Sequence, residues 1–234
     1  MAYWQLHPLN ARHGLTPILP ELRAAAGQAV ALVSARAGEM LPDFDLIVMA
    51  QPGFGSSDPV VGGYAPAPGR IELTLDPATW TPDDLIRTLV HEAHHLIRWD
   101  GPGYGRSLGE ALVSEGLAGH FVTEILGGPP DPWDRVTPSA AALRRAISDW
   151  ARPGHDHEAW FMGRGDLRRW TGYGLGHRLV AAYLDRHPDA SAMALAHIRA
   201  DEFRPILRSL IPAGSDEDAP DDPPEEPSDA PPQP

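Results

Sequence analysis

The 234-residue sequence contains no cysteine. This absence excludes disulfide frameworks, thiol nucleophiles and zinc sites built on cysteine ligands. No stretch approaches the roughly 18–20 apolar residues that a membrane helix needs. The first residues, MAYWQLHPLN, also lack the basic head and unbroken apolar run of a secretory signal. We therefore expect a cytoplasmic protein with no membrane partner.

Basic residues are scarce as well, with 19 Lys and Arg against 32 Asp and Glu. A nucleic-acid partner requires a basic face, so none is expected. Eight of the acidic residues lie in residues 213–234 together with seven prolines, and the segment has no aromatic or β-branched residue. Such a segment cannot bury enough surface to offset the entropy of ordering. We predict a disordered acidic tail, with a solubilising rather than a docking role, after a domain spanning residues 1–212.

The pattern of residues 1–212 predicts an α+β fold, in which a small mixed or antiparallel sheet precedes a helical body. Apolar or alternating runs predict strands at residues 44–50, 60–64 and 70–75. Helical spacing predicts helices at residues 20–37, 81–99, 107–126, 138–150 and 171–186. Strands early in the chain and helices late in it are typical of segregated layers rather than of alternating βαβ units.

The helix predicted to begin at Thr81 contains the motif that indicates a catalytic metal site. Residues 91–95 read His-Glu-Ala-His-His and satisfy H-E-x-x-H. On a helix, His91 and His95 lie one turn apart on the same face, so both imidazoles can bind one metal ion. Glu92 lies about 100° round the helix from His91. From there it can reach a metal-activated water without being a ligand.

The third ligand of such a site is predicted on the next helix, because a catalytic zinc ion usually has three protein ligands. A third histidine six residues after His95 is excluded, since that position is Gly101. Glu115 has small and apolar neighbours, and coordination of a cation would offset the cost of burying its carboxylate there. We therefore predict one Zn²⁺ per chain, bound by His91, His95 and Glu115. Weaker candidates for the third ligand are Glu110, Glu124 and His120.

The combination of His91, Glu92, His95 and Glu115 resembles the gluzincin pattern of zinc peptidases. Three longer segments, HEAHHLIRW, ALVSEGLAGHF and WTGYGLGHRLVAAYL, are similar to segments of the predicted Zn-dependent proteases grouped as domain of unknown function 2268. The segment GGYAPAPGRIELTLDP is similar as well, so the resemblance covers roughly residues 55–190. It implies a gluzincin-like fold and zinc-peptidase chemistry, and it leaves the substrate open.

These residues predict a mechanism in which Glu92 accepts a proton from the attacking water and passes it to the leaving amine. Similar enzymes stabilise the developing oxyanion with a Tyr or His from a later helix. Tyr173 is the first candidate here and His177 the second, although two residues four apart on a helix could simply pack together. The strand at residues 70–75 could pair with an extended substrate at the sheet edge, or be an ordinary strand.

Three other features are interpreted as structural. His94 is expected to pack in the core, and residues 155–158 are expected to lie on a solvated loop. The glycines at positions 172, 174 and 176 do not form a dinucleotide-binding motif, because no strand precedes them within a βαβ unit.

A peptide or an unfolded protein is the expected substrate, and the sequence does not indicate an oligomeric state. Two other functions stay open. One is a zinc-dependent amidase acting on a non-peptide substrate, and the other is a non-catalytic zinc-binding interaction protein. The presence of Glu92 speaks against the second, because a structural zinc site has no use for a general base.

Overall fold

A four-stranded mixed sheet is formed by the first third of the chain. In the computed structural model, which describes residues 2–55 and 59–211, the strands are β1 (Trp4–Leu9), β2 (Phe44–Ala50), β3 (Val61–Ala67) and β4 (Arg70–Leu75). They lie in the order β1-β2-β4-β3, with β1, β2 and β4 parallel and β3 antiparallel to β4. The predicted acidic tail, residues 213–234, lies outside the described residues.

Most helices follow the sheet. Of the α-helices in the described residues, only α1 (Leu19–Ala37) lies between strands, and the others are α2 (Pro82–Trp99), α3 (Leu108–Leu126), α4 (Ala140–Asp149), α5 (Thr171–Arg186) and the short α6 (Arg204–Leu207). The predicted α+β class is confirmed, and of the two sheet types expected the mixed one is found. Within the described part of the chain, no helix combines the length and the apolar character needed to span a bilayer.

The sequence patterns do not predict β1, which forms one edge of the sheet. Its side chains lack a clear alternation of buried and exposed positions, and it contains Pro8. Proline is tolerated on edge strands, where its missing N–H can face away from the sheet. The ring of Trp4 stacks on that of Phe44 in β2, with centroids 6.4 Å apart.

Strand β4 is an interior strand, so the alternative that residues 70–75 form the sheet edge is wrong. It pairs with β2 on one side and with β3 on the other, and both of its backbone edges are therefore used within the sheet. Its side chains alternate between buried and more exposed positions, as the sequence pattern predicts. The outer strand on this side is β3, and α2 packs against it.

Side-chain caps begin both helices that carry the predicted metal ligands. Thr81 Oγ1 accepts a hydrogen bond from the backbone N–H of Asp84 at the start of α2. Ser107 and Glu110 form a capping box at the start of α3, in which each side chain accepts from the other residue's backbone N–H. These contacts satisfy N–H groups that the first turn leaves unpaired. Glu110 therefore has a structural role in the start of α3.

Helices α3 and α5 cross in close contact at two glycines. A Cβ atom on Gly116 would lie 2.2 Å from the carbonyl oxygen of Gly176, and one on Gly176 would lie 2.2 Å from the carbonyl oxygen of Leu112. A side chain at either position would push the helices apart, because packed interiors have no room for an extra group. The close crossing brings α5, and with it Tyr173, next to the helix that carries Glu115.

Candidate metal site and active-site cleft

Three potential ligand atoms from α2 and α3 converge in the interior. The Oε2 atom of Glu115 lies 3.1 Å from Nε2 of His91 and 3.3 Å from Nε2 of His95, and the two Nε2 atoms are 3.1 Å apart. Ligand atoms placed about 2.0–2.1 Å from a tetrahedral zinc ion are separated by about 3.3 Å. The spacing of these two imidazoles and one carboxylate fits a tetrahedral zinc site, and their ligand atoms are of the kinds that zinc binds.

The three side chains are deeply buried, with exposed fractions of 9% for His91, 1% for His95 and 6% for Glu115. Burial by itself raises the pKa of Glu115, but the charge of His95 and hydrogen bonds from both imidazoles outweigh it, so the pKa falls well below its ordinary value. Burial by itself lowers the pKa of His91, whereas the contact with Glu115 raises it to about 9. The cluster therefore keeps its carboxylate ionised and stabilises positive charge beside it.

Glu92 lies next to these residues and directly against β3. Its side chain is 5% exposed, and its Oε2 atom has no hydrogen-bond partner among the described residues. Burial raises the pKa of Glu92 above its ordinary value, although the charges of His95 and His91 oppose this. A Cβ atom on Gly63 of β3 would lie 2.5 Å from Oε1 of Glu92. One oxygen of this carboxylate thus lies against the outer strand, and the other is able to accept a proton.

The second nitrogen of each imidazole differs in its surroundings. Nδ1 of His95 lies 3.1 Å from Oγ of Ser114, a contact that fixes the orientation of the ring. Nδ1 of His91 is buried, and the described part of the chain offers it no hydrogen-bond partner. Ser114 is not predicted from the sequence, and the signal that could have indicated it is its position directly before Glu115.

A cleft of about 390 Å³ opens beside His91 and Glu92. Strand β3 contributes Gly62 and Gly63 to its wall. Its apolar and aromatic lining consists of Phe54, Pro59, Val61, Trp133, Met162, Trp170 and Tyr173. A larger cavity of about 530 Å³ is lined by other residues, among them Glu110. The smaller cleft is the candidate active site, because it contains the buried Glu92 carboxylate.

Two tyrosines flank the candidate metal ligands. Tyr173 of α5 lines the cleft together with Glu92. Tyr104, in the loop between α2 and α3, packs against the ring of His95 with centroids 4.5 Å apart. Burial, followed by the charges of Glu115 and Glu92, raises the pKa of both hydroxyls well above its ordinary value, so both stay protonated donors. Tyr104 is not predicted from the sequence, and the signal that could have indicated it is an aromatic residue in the glycine-rich loop joining the two ligand-bearing helices.

The structure does not bring His177 into the cleft. Its ring stacks on that of His120 with centroids 4.0 Å apart, and its carbonyl oxygen lies 3.0 Å from Nε2 of His120. His120 lies five residues after Glu115, which places it on nearly the opposite side of α3. The second candidate for the oxyanion donor is therefore a packing residue, and His120 is part of the same contact.

The remaining alternatives to the predicted ligands have other partners. Glu110 caps α3, and Glu124 forms an ion pair with Arg36. His94 is fully buried, with Nε2 3.3 Å from the carbonyl oxygen of Ala192. The interpretation of His94 as a core residue therefore agrees with its surroundings.

Comparison with known proteins adds one finding. The family described as predicted Zn-dependent protease (DUF2268) matches residues 48–204. No curated protein and no solved structure matches the chain. The matched region covers more than half of the 234 residues and includes both α2 and α3. The chain therefore belongs to the family of predicted Zn-dependent proteases (DUF2268).

Proposed function

We propose that the protein is a zinc-dependent metallopeptidase that hydrolyses peptide bonds with Glu92 as the general base. The observation that carries the proposal is the convergence of His91 Nε2, His95 Nε2 and Glu115 Oε2 within 3.1–3.3 Å of one another. Three protein ligands are the number typical of catalytic rather than structural zinc sites. Zinc bound by these atoms would acidify a water molecule and polarise the scissile carbonyl group.

Glu92 transfers a proton from the attacking water to the leaving amide nitrogen. As the water oxygen bonds to the carbonyl carbon, the unpartnered Oε2 of Glu92 accepts a proton from that water. Glu92 then donates this proton to the amide nitrogen as the carbon–nitrogen bond breaks. One water is consumed, and because its second proton also passes to the leaving nitrogen, the products are a carboxylate and a protonated amine. The burial of Glu92 beside the three ligand candidates supports this role, because it keeps the base close to the reacting atoms.

Tyr173 stabilises the charge that develops on the carbonyl oxygen. Its hydroxyl keeps its proton, and Tyr173 lines the same cleft as Glu92. A donor directed at the oxyanion is stronger in a cleft that excludes water than in solution. Its place on α5, which crosses α3 closely at Gly116 and Gly176, gives the donor a rigid support.

The outer strand β3 favours a peptide as the substrate. Extended peptides add to a sheet edge through main-chain hydrogen bonds, and β3 is the outer strand that lines the cleft. Side chains of α2 already donate hydrogen bonds to two of its carbonyl oxygens, those of Val61 and Ala65, so we propose that the peptide pairs with the glycines between them. The substrate-pairing role considered for residues 70–75 is therefore assigned to β3. The aromatic walls around Trp133 and Trp170 favour substrates with a bulky apolar side chain next to the scissile bond. A non-peptide amide would make no use of the strand.

Replacement of Glu92 by Gln tests this proposal. Metal content is measured by mass spectrometry of the purified protein, and cleavage of a random peptide library is followed with and without a zinc chelator. The wild-type protein should bind one zinc and cleave peptides only without chelator. Glu92→Gln should keep the zinc and lose cleavage, whereas Glu110→Gln, which changes a helix cap outside the cleft, should retain it.

Each alternative predicts a different result. Wild-type protein that binds zinc but cleaves no peptide would favour the amidase or the interaction protein. Failure of the wild-type protein to bind zinc would overturn the metallopeptidase proposal altogether. Undiminished cleavage by Glu92→Gln would show that another group is the base.

A further inference from the structure

The side chain of Asp134 is a buried ionisable group that the proposed reaction does not use. Asp134 lies between α3 and α4, and only 2% of it is exposed. Neither of its carboxylate oxygens has a hydrogen-bond partner among the described residues. A buried carboxylate without a partner is costly, so a position like this one is expected to have a compensating contact in the working protein.

The carboxylate of Asp134 lies against α3 close to the candidate metal ligands. A Cβ atom on Gly119 would lie 2.5 Å from Oδ2 of Asp134. Gly119 follows Glu115 by one helical turn, so both residues are on the same face of α3. Any residue larger than glycine at position 119 would displace the carboxylate. Asp134 therefore reaches, from outside both ligand-bearing helices, the face of α3 that carries Glu115.

Asp134 and His91 are also electrostatic neighbours. Burial raises the pKa of Asp134 to about 8, while the charge of His91 opposes that rise. The charge of Asp134 in turn helps to raise the pKa of His91. The two side chains are thus near enough to influence each other, and Nδ1 of His91, like the carboxylate of Asp134, is buried with no hydrogen-bond partner among the described residues.

The two groups are chemically complementary. When Nε2 of a neutral imidazole gives its lone pair to a cation, the ring proton must be on Nδ1, which then becomes a donor. A buried N–H without an acceptor is unfavourable, and so is a buried carboxylate without a donor. A hydrogen bond between His91 and Asp134 would remove both costs at once.

We propose that Asp134 is a positioning residue that accepts a hydrogen bond from Nδ1–H of His91 when zinc is bound. This inference rests on the proposed function. The contact would orient the ring of His91 and make Nε2 a better ligand, as Ser114 does for the ring of His95. Asp134 would thus act on the metal through His91 without touching it.

The first test compares zinc affinity in three variants, using competition with a chromophoric chelator. Loss of a carboxylate that orients a histidine ligand typically weakens zinc binding by about 10–100-fold. We expect this loss for Asp134→Ala and a smaller one for Asp134→Asn, whose amide oxygen can still accept. Asp131→Asn is the control, because it removes a carboxylate that pairs with Arg87 in the same segment. Its zinc affinity should change by less than about threefold.

The second test leaves every ionisable group in place. Gly119→Ala would displace the Asp134 carboxylate, so we expect weaker zinc binding, although alanine is intrinsically favoured over glycine inside a helix. Gly27→Ala on α1, where no atom outside the adjoining helix backbone lies within 4 Å of the added Cβ, is the matched control and should bind zinc normally. Nitrogen-15 NMR of the zinc-bound protein should show a hydrogen-bonded Nδ1–H on His91 that is lost in Asp134→Ala.

The outcomes separate this inference from the proposed function. Equal zinc affinity and an unchanged His91 resonance in wild-type protein and Asp134→Ala would overturn the role of Asp134 and leave the metallopeptidase proposal standing. Equal losses in Asp131→Asn and Asp134→Asn would assign the effect to disruption of the segment, which also overturns it. No zinc binding by the wild-type protein would overturn both proposals.

Discussion

A Cβ atom on Gly63 would lie 2.5 Å from Oε1 of Glu92 and 2.7 Å from Cγ2 of Thr88. Strand β3 therefore approaches α2 so closely that only a residue without a side chain fits opposite the proposed base. Because β3 is also the outer strand of the sheet, this one contact joins the surface proposed to hold the peptide to the group proposed to move the proton. The contact makes Gly63 a sensitive position for activity.

Gly63→Ala should reduce kcat/KM by about 10–100-fold, because a shift of the base by a fraction of an ångström to 1 Å is enough for such a loss. Zinc content should stay at the wild-type level, since the three atoms nearest to the added Cβ belong to Glu92 and Thr88 rather than to a proposed ligand. Peptide cleavage and metal analysis on the same sample measure both quantities. Gly27→Ala serves as the control for the substitution itself and should keep full activity. Full activity of Gly63→Ala would contradict the assignment of Glu92 and β3 to one site.

Tyr173→Phe should lower kcat by about 10²–10³-fold with little change in KM, because the lost hydrogen bond is made to the developing oxyanion rather than to the bound substrate. Steady-state kinetics on one cleaved peptide are sufficient. His177→Gln is the comparison, since His177 stacks on His120 away from the cleft and should leave kcat unchanged. A larger loss in His177→Gln than in Tyr173→Phe would reverse this assignment.

Glu115→Gln should weaken zinc binding by at least about 100-fold, because an amide replaces the only anionic ligand of the proposed trio. Glu124→Gln changes another carboxylate of α3, one that pairs with Arg36 of α1, and this variant should bind zinc normally. Zinc at 1,000 times its dissociation constant should also raise the free energy of unfolding of the wild-type protein by about 4 kcal/mol. Thermal unfolding with and without zinc measures that effect, which should be absent in Glu115→Gln.

Trp133→Ala should reduce the preference for bulky apolar residues next to the cleaved bond. The ring of Trp133 lines the cleft and packs edge-on against that of Trp170, with centroids 6.2 Å apart. Loss of such a wall weakens apolar contacts by about 1–3 kcal/mol, or roughly 10-fold or more in the ratio of kcat/KM between leucine- and glycine-containing peptides. Trp4→Ala, which changes a ring packed against Phe44 in the sheet, should leave that ratio unchanged.

The free energy of unfolding should decrease at acidic pH because His177 becomes protonated. Burial, and secondly the charge of His120, holds the pKa of His177 at about 4 in the folded chain, below its ordinary value of 6.5. The unfolded chain therefore binds this proton more tightly, so stability is full above about pH 6.5 and is lost as the pH falls towards 4. The expected loss in the free energy of unfolding is about 1–2 kcal/mol, allowing for partial exposure of the ring.

Urea unfolding at several pH values between 7 and 4 measures this loss. His177→Phe keeps an aromatic ring against His120 but cannot be protonated, so its stability should fall less over the same range. An identical pH dependence in the variant and the wild-type protein would exclude His177 as the titrating group.

Much of the fold follows from local patterns. The strands at residues 44–50 and 70–75 and the helix at residues 171–186 have the predicted bounds. The helices that start after Thr81 and Ser107 begin where their capping residues indicate, because a cap acts on its own first turn. Strand β1 is not predicted, because it pairs with β2, which is distant in the sequence, and because its own alternation of buried and exposed residues is weak.

The candidate site likewise contains some residues that the sequence indicates and others that it does not. The spacing of His91, Glu92 and His95 depends only on helical periodicity, so the sequence indicates it. Ser114, Tyr104 and Asp134 have no comparable signal, because each acquires its place through contacts between separate elements. Asp134 is the clearest case, since its carboxylate occupies space left by Gly119 on another part of the chain.

The sequence by itself determined the five longer helices to within about two residues at each start, and that one of them presents two imidazoles and a carboxylate at metal-binding intervals, whereas it did not indicate α6. Only the tertiary structure decided that Glu115 meets those imidazoles at 3.1–3.3 Å, that β3 rather than β4 is the outer strand, and that Tyr173 rather than His177 faces the cleft. The physical reason is the distance along the chain over which each effect acts. Capping and periodicity act within a few residues, whereas strand order and helix rotation are set by packing between distant segments.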